Sequence, residues 1–201
     1  MRHGTSEGTN CMFLTICLWK KPSANQRMEV FCPLAPLNKV NIQANGQVTV
    51  KGNWILSNDV GGSFKGISFC CHEGDCLRID RGRNAVMSTG GSASFHGCNI
   101  GRARCAVAAC GKASVTIESS KVHSAHFAIG VGDSAALHVR GTQICSNRDT
   151  FSSLDKTQCS LTVTDCKIHE NLCLWPDGHR PNKVCFERNS DDKGNSVDFS
   201  R

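Results

Sequence analysis

Four polar side chains recur at one position of a repeated sequence pattern, where they could act together on an extended ligand. They are His96, Glu118, Arg140 and Thr164, separated by 22, 22 and 24 residues. An imidazole, a carboxylate and a guanidinium held side by side could bind a charged ligand or exchange protons with it. Each follows an apolar residue of a short alternating segment, so a regular element must position it. We predict that these four residues form a ligand-facing ladder, and we assign no catalytic residue.

The elements that position this ladder are four copies of one apolar pattern. Each copy has two apolar residues two positions apart and an aliphatic residue five positions after the second. The copies are Ala93, Phe95 and Ile100; Val115, Ile117 and Val122; Leu137, Val139 and Ile144; Leu161, Val163 and Ile168. Alternation with period two indicates strands with one buried face, and a fixed period of about 22 residues is typical of solenoids. The pattern predicts an all-β fold, a parallel β-helix of about five coils.

Corner phrases follow the strands at the same period. Residues 166–171 have partners at 142–147, 120–125, 98–103 and 53–58, and each of these phrases ends in Asn or Ala. Asparagine is expected at a bend, since its side chain can bond its own backbone and it tolerates left-handed angles. A second strand recurs at Val107 and Ile129, with an earlier version at residues 77–79. The longer spacing before Val107 predicts an extra loop around residues 88–92.

The phrase from Thr164 to Asn171, Thr-Asp-Cys-Lys-Ile-His-Glu-Asn, resembles the right-handed parallel β-helix repeat of pectate-lyase-like proteins. The resemblance covers roughly residues 48–171, and it implies a right-handed β-helix solenoid. Such repeats occur in polysaccharide lyases, hydrolases and epimerases. They also occur without catalysis, in F-box ubiquitin-ligase adaptors and SHC SH2-binding proteins. The resemblance therefore implies a fold but leaves the function open.

The repeat pattern also divides the chain. Residues 1–35 do not fit it and are predicted to form an N-terminal cap or irregular segment, with a capping strand or helix near residues 12–19. Residues 36–171 are predicted as the right-handed parallel β-helix. Residues 172–201 become polar and are predicted as a C-terminal tail.

Composition limits the compartment and the partners. The 201 residues include 23 basic and 17 acidic side chains, a net charge of +6, which permits an acidic partner. The apolar runs are too short to span a membrane, and no secretory signal is evident, so we expect a cytoplasmic or nuclear protein or a chain with an incomplete N-terminus. Of the 14 cysteines, Cys98 and Cys166 share a corner position with Ser120 and Thr142. This placement indicates reduced thiols that fill core space.

A metal centre is not expected. Cys71, His72 and Cys76 could supply three soft ligands at most, whereas structural zinc needs four in paired spacings. Four carboxylates of the repeats fall at different repeat positions: Glu118, Asp133, Asp165 and Glu170. Calcium, which takes about six to eight oxygen ligands, finds no cluster among them. We therefore predict no metal and no cofactor.

Two functional hypotheses remain. The first is a non-catalytic binding or scaffold module for protein partners, because the repeat is well formed without a convergent catalytic group. The second is a pectate-lyase-like enzyme, a lyase, hydrolase or epimerase acting on an acidic polysaccharide. The sequence favours the first and shows no specific nucleic-acid motif.

Overall fold

The computed structural model describes residues 13–19, 39–52, 54–56, 60–71, 84–153, 158–176, 180–181 and 183–198. Within these ranges all regular structure is β-strand, and the strands form a parallel β-solenoid of about six turns. This confirms the predicted fold class, with about one turn more than predicted. None of these described residues belongs to a helix that could cross a membrane.

The strands are short, as the alternating apolar pattern requires. In chain order they are β1 (Phe13–Trp19), β2 (Lys39–Lys51), β3 (Trp54–Leu56), β4 (Gly61–Cys70), β5 (Asn84–Ser88), β6 (Ser92–His96), β7 (Asn99–Gly101), β8 (Cys105–Ala109), β9 (Ser114–Glu118), β10 (Lys121–His123), β11 (Phe127–Val131), β12 (Ala136–Arg140), β13 (Gln143–Cys145), β14 (Asp149–Ser153), β15 (Ser160–Thr164), β16 (Lys167–His169) and β17 (Lys183–Glu187).

The strands stack in three ladders. The long-strand ladder runs β4-β6-β9-β12-β15-β17, and the short-strand ladder runs β4-β7-β10-β13-β16. The two ladders share β4, because its first half pairs with β6 and its second half with β7. On its other side β4 pairs with β2. The third ladder, β3-β5-β8-β11-β14, closes the coil. One strand from each ladder therefore makes one turn of the solenoid, and equivalent residues of successive turns lie about 4.8 Å apart.

Every apolar residue of the four predicted copies is buried, and none of them is more than 4% exposed. Val139, for example, pairs with Ile117 on one neighbouring strand and Val163 on the other, so like residues stack in columns. The third ladder adds Val86, Val107, Ile129 and Phe151 to this core. The 22-residue period therefore identified the buried face correctly.

The corner phrases bend one residue before their final Asn or Ala. The left-handed residues there are Arg102, Ser124, Ser146 and Glu170, with φ of 49°, 52°, 56° and 56°. Asn147 is 2% exposed, and its amide binds backbone and side-chain groups of its own coil and of the neighbouring coils. The asparagine serves the hydrogen bonds between coils, while its predecessor makes the bend.

Cysteines occupy interior and corner positions as thiols. Five of the described cysteines are free thiols and are buried: Cys98, Cys105, Cys145, Cys159 and Cys166. Burial raises the pKa of the Cys105 thiol to about 12 and that of Cys166 to about 11. Both thiols are therefore protonated at neutral pH, which suits packing rather than nucleophilic chemistry.

The parallel pairing continues past residue 171, into the segment predicted as a polar tail. β17 pairs with β15 in register, and Asn189 then occupies the next corner, where it accepts the Cys166 N–H at 2.9 Å. The pattern is hard to recognise there because Asp191 stands where the earlier copies have an aliphatic residue. At the other end, β1 pairs in parallel with β2, so the apolar run in residues 1–35 contains a strand.

Two other predictions concern the region before β6. The loop predicted around residues 88–92 is present as the three residues between Ser88, which ends β5, and Ser92, which begins β6. It is shorter than the connection between β8 and β9, so it does not hold the extra residues. The predicted strand at residues 77–79 lies outside the described residues, as do His72 and Cys76 of the metal-like cluster.

Candidate functional site

The predicted ladder is continuous. His96 pairs with Glu118, Glu118 with Arg140 and Arg140 with Thr164, on β6, β9, β12 and β15. These residues end the long strands and point away from the core, as the strict alternation of buried and exposed positions dictates. The repeat period therefore predicted which side chains are neighbours. Whether a ligand uses them stays a prediction.

The charges along this ladder are largely paired with one another. His96 Nδ1 lies 3.9 Å from Glu118 Oε2, and Arg140 Nε lies 3.7 Å from Asp165 Oδ2. The Arg188 guanidinium donates two hydrogen bonds of 2.6 and 3.1 Å to the same Asp165, and these bonds lower the pKa of the Asp165 carboxyl. The ladder thus carries alternating charges that are partly neutralised within the protein.

A second surface carries mostly positive charges, with Glu170 as an exposed carboxylate at the same corner. Arg102, Arg104 and Arg148 lie where the short strands turn into the third ladder, and Lys121 and Lys167 begin the short strands β10 and β16 beside this turn. We call these five residues the basic corner. All five are exposed. None of them forms an ion pair with a carboxylate among the residues that the structure describes. Unlike the predicted ladder, this corner keeps its positive charge available to a partner.

Two columns of the solenoid generate the basic corner. Arg104, His126 and Arg148 precede equivalent strands of the third ladder. Hydrogen bonds between successive coils link them: the Phe127 N–H donates to the Arg104 carbonyl at 2.8 Å, and the Asp149 N–H donates to the His126 carbonyl at 2.7 Å. In the other column Lys121 and Lys167 flank Gln143 on β10, β13 and β16. Each of four successive coils therefore contributes at least one cation.

The pKa values of two histidines at the same corner reflect its positive electrostatic potential. Burial is the main cause that lowers the pKa of His126 below 6.5, and Arg148 and Arg104 lower it further, against the opposing effect of Asp149. Burial likewise lowers the pKa of His123, with added repulsion from Lys121 and Arg102. His126 also stacks on Phe127, with ring centroids 4.5 Å apart. Both imidazoles are therefore neutral at pH 7 in the free protein.

The corner also contains a row of three potential metal ligands. His123, Cys145 and His169 pair across β10, β13 and β16. Polar neighbours engage both rings: His123 Nδ1 lies 3.0 Å from a serine hydroxyl, and His169 Nε2 lies 2.8 Å from the Gln143 amide nitrogen. Across the described part of the chain, no three histidine, cysteine or acidic side chains converge on a common metal position.

The basic corner was missed in the sequence although a simple signal marks it. The fourth residue after each corner aliphatic is Arg104, His126, Arg148 and then Leu172. The prediction followed the residues beside the long strands and did not apply the same period to the corner. A period-based count of charge at every repeat position would have found this column.

We expect the histidine pKa values to respond to the basic corner. In an NMR titration of the imidazoles, His126 should titrate below 6.5, and the double variant Arg104→Gln/Arg148→Gln should raise its pKa by removing two repulsive charges. Because the pKa of His126 is lower in the folded than in the unfolded protein, protonation of His126 favours unfolding. The contribution of His126 to stability is therefore full above about pH 6.5 and is lost as the pH falls. Arg140→Gln, on the other ladder, should leave His126 unchanged. An unaltered His126 pKa in the double variant would contradict a concentrated positive potential at this corner.

No family model, no curated protein and no solved structure matches the chain.

Proposed function

We propose that this protein is a non-catalytic β-helix binding module that holds an acidic protein partner at the basic corner, in the cytoplasm or nucleus. The observation that carries the proposal is the set of five exposed cations without described carboxylate partners. Four of the five, Arg104, Arg148, Lys121 and Lys167, belong to columns that continue over several coils. The solenoid supplies a stiff frame on which these charges keep a regular spacing.

The chemistry of the corner suits binding. Guanidinium and ammonium groups keep their charge at neutral pH, so they attract carboxylates without exchanging protons with them. Concentrated charge of one sign also steers an oppositely charged partner toward the surface and raises the association rate. An arginine pair about 10 Å apart, two coils of about 4.8 Å, can contact two carboxylates of one segment.

Binding of a fluorescein-labelled oligoglutamate peptide, followed by fluorescence anisotropy, tests the proposal. We expect the double variant Arg104→Glu/Arg148→Glu to weaken binding at least about tenfold, since each exposed pair contributes roughly 0.2–1 kcal/mol and the reversal adds repulsion. Binding should also weaken as salt rises.

The matched control is Lys112→Glu/Lys183→Glu, which makes the same change in net charge at exposed lysines outside the basic corner. We expect it to bind the peptide within about twofold of the unaltered protein. Equal losses in the two double variants would mean that net charge alone attracts the peptide. That result, or no binding at all by the folded protein, would overturn the proposal.

The resemblance to pectate-lyase-like repeats supports one alternative, an enzyme acting on an acidic polysaccharide at the predicted ladder, where Arg140 would attract uronate carboxylates. The two proposals differ in turnover. Release of unsaturated or reducing products from pectate or alginate, with and without Ca²⁺, would favour the enzyme, with Glu118→Ala and Arg140→Ala as the variants that should abolish cleavage.

A further inference from the structure

One apolar side chain extends the basic column. Leu172 follows Arg148 at the next coil: its N–H binds the Asn147 carbonyl at 3.2 Å, and the next N–H binds the Arg148 carbonyl at 2.9 Å. It is 86% exposed, more than the other exposed large apolar residues described, Ile55 at 53% and Val184 at 38%. The column therefore runs from arginine through histidine and arginine to an uncovered leucine.

Further apolar surface lies beside this column. Phe127 is half-buried and stacks on His126, and its backbone pairs with Cys105 on one side and Asp149 on the other. A uniformly charged polymer would leave Leu172 exposed and gain nothing from it. A peptide can supply both acidic groups for the arginines and an aliphatic group for the leucine, so the mixed column favours a peptide.

The spacing of the column matches a particular backbone. Arg104 and Arg148 are two coils apart, about 10 Å, and Leu172 is one coil further, about 5 Å. A polyproline II chain rises about 3.1 Å per residue with three residues per turn, so residues i and i+3 lie on one face about 9 Å apart. Acidic residues at those two positions would meet the two arginines. An apolar residue one or two positions later lies about 3–6 Å further along and about 120° around the peptide, from where a large side chain would reach the leucine.

Resting on the proposed function, we propose that the basic corner recognises an extended peptide in which two acidic residues three positions apart are followed within two positions by a large apolar residue. The peptide runs along the solenoid axis, with its acidic residues on Arg104 and Arg148 and its apolar residue on Leu172. The charges provide attraction at long range, and the leucine contact provides selectivity among acidic segments.

The test is a cycle between protein and peptide variants, measured by fluorescence anisotropy. The labelled probe contains Glu-Pro-Ser-Glu-Ser-Leu, and its partner has serine in place of the final leucine. We expect Leu172→Ser to weaken binding of the leucine peptide about fivefold, from the apolar area that stays in water, and to leave binding of the serine peptide unchanged. Ile55→Ser, which removes an exposed isoleucine of the third ladder, is the control and should change neither.

The outcomes separate the two proposals. If Arg104→Glu/Arg148→Glu abolishes binding of both peptides but Leu172→Ser affects neither, the apolar contact is wrong and the acidic-partner function stands. If neither peptide binds to protein with an unaltered circular dichroism spectrum, both proposals fail. Tighter binding of a single-stranded oligonucleotide of equal charge, insensitive to Leu172→Ser, would replace the peptide with a nucleic acid. A coupling between Leu172 and the peptide leucine supports the proposal.

Discussion

Replacing Val139 with aspartate is expected to unfold the solenoid. Val139 is 1% exposed and lies in a column of apolar side chains, between Ile117 and Val163 on the neighbouring strands. An aspartate carboxylate there would face apolar side chains, so it must either remain charged in an apolar environment or take up a proton. Because domains are stable by only about 5–15 kcal/mol, and one uncompensated buried charge removes several, little native protein should remain.

The measurement is far-ultraviolet circular dichroism with urea unfolding, compared with His138→Asp. His138 is adjacent on β12, but its side chain is exposed, so the same new charge faces water. We expect His138→Asp to unfold cooperatively within about 0.5 kcal/mol of the unaltered protein. A Val139→Asp protein that is soluble and unfolds cooperatively would show that β12 does not have this register.

Asn147→Ala is the second substitution expected to have a large effect. The Asn147 carboxamide accepts the Ala125 N–H at 3.0 Å and donates to the Cys145 carbonyl and to Asn171 Oδ1, both at 3.0 Å. Alanine leaves the buried Ala125 N–H without its acceptor, which alone costs about 1–3 kcal/mol, and also creates a small cavity. Urea unfolding should therefore show a lower midpoint with a similar slope.

Arg148→Ala is the control for this substitution. Arg148 is the next residue, is exposed and has no ion pair with a described carboxylate, so its removal should change stability by no more than about 0.5 kcal/mol. If Asn147→Ala were equally harmless, the asparagine contacts between coils would not contribute to stability. The same Arg148→Ala protein should nevertheless bind the acidic peptides more weakly. Stability would then depend on Asn147, and peptide binding on the neighbouring Arg148.

The strand register was predictable because stacking in a parallel solenoid repeats with the chain itself. Once Val115, Leu137 and Leu161 are assigned to one column, the neighbours of every outward residue between them follow, including the pairing of Glu118 with Arg140. The corners were less predictable. Asparagine tolerates left-handed angles and also satisfies buried backbone groups, and the sequence cannot show which use Asn147 has.

The sequence by itself determined the all-β solenoid, its interior columns and the adjacency of His96, Glu118, Arg140 and Thr164, since each depends on a period that is written in the chain. Only the tertiary structure decided which surface keeps its charge. Asp165 and Arg188 are 23 residues apart, yet they meet at successive corners and neutralise part of the predicted ladder. At the basic corner no described carboxylate forms an ion pair with Arg104 or Arg148. The period specifies which residues stack, whereas ion pairing depends on where side chains from different corners converge.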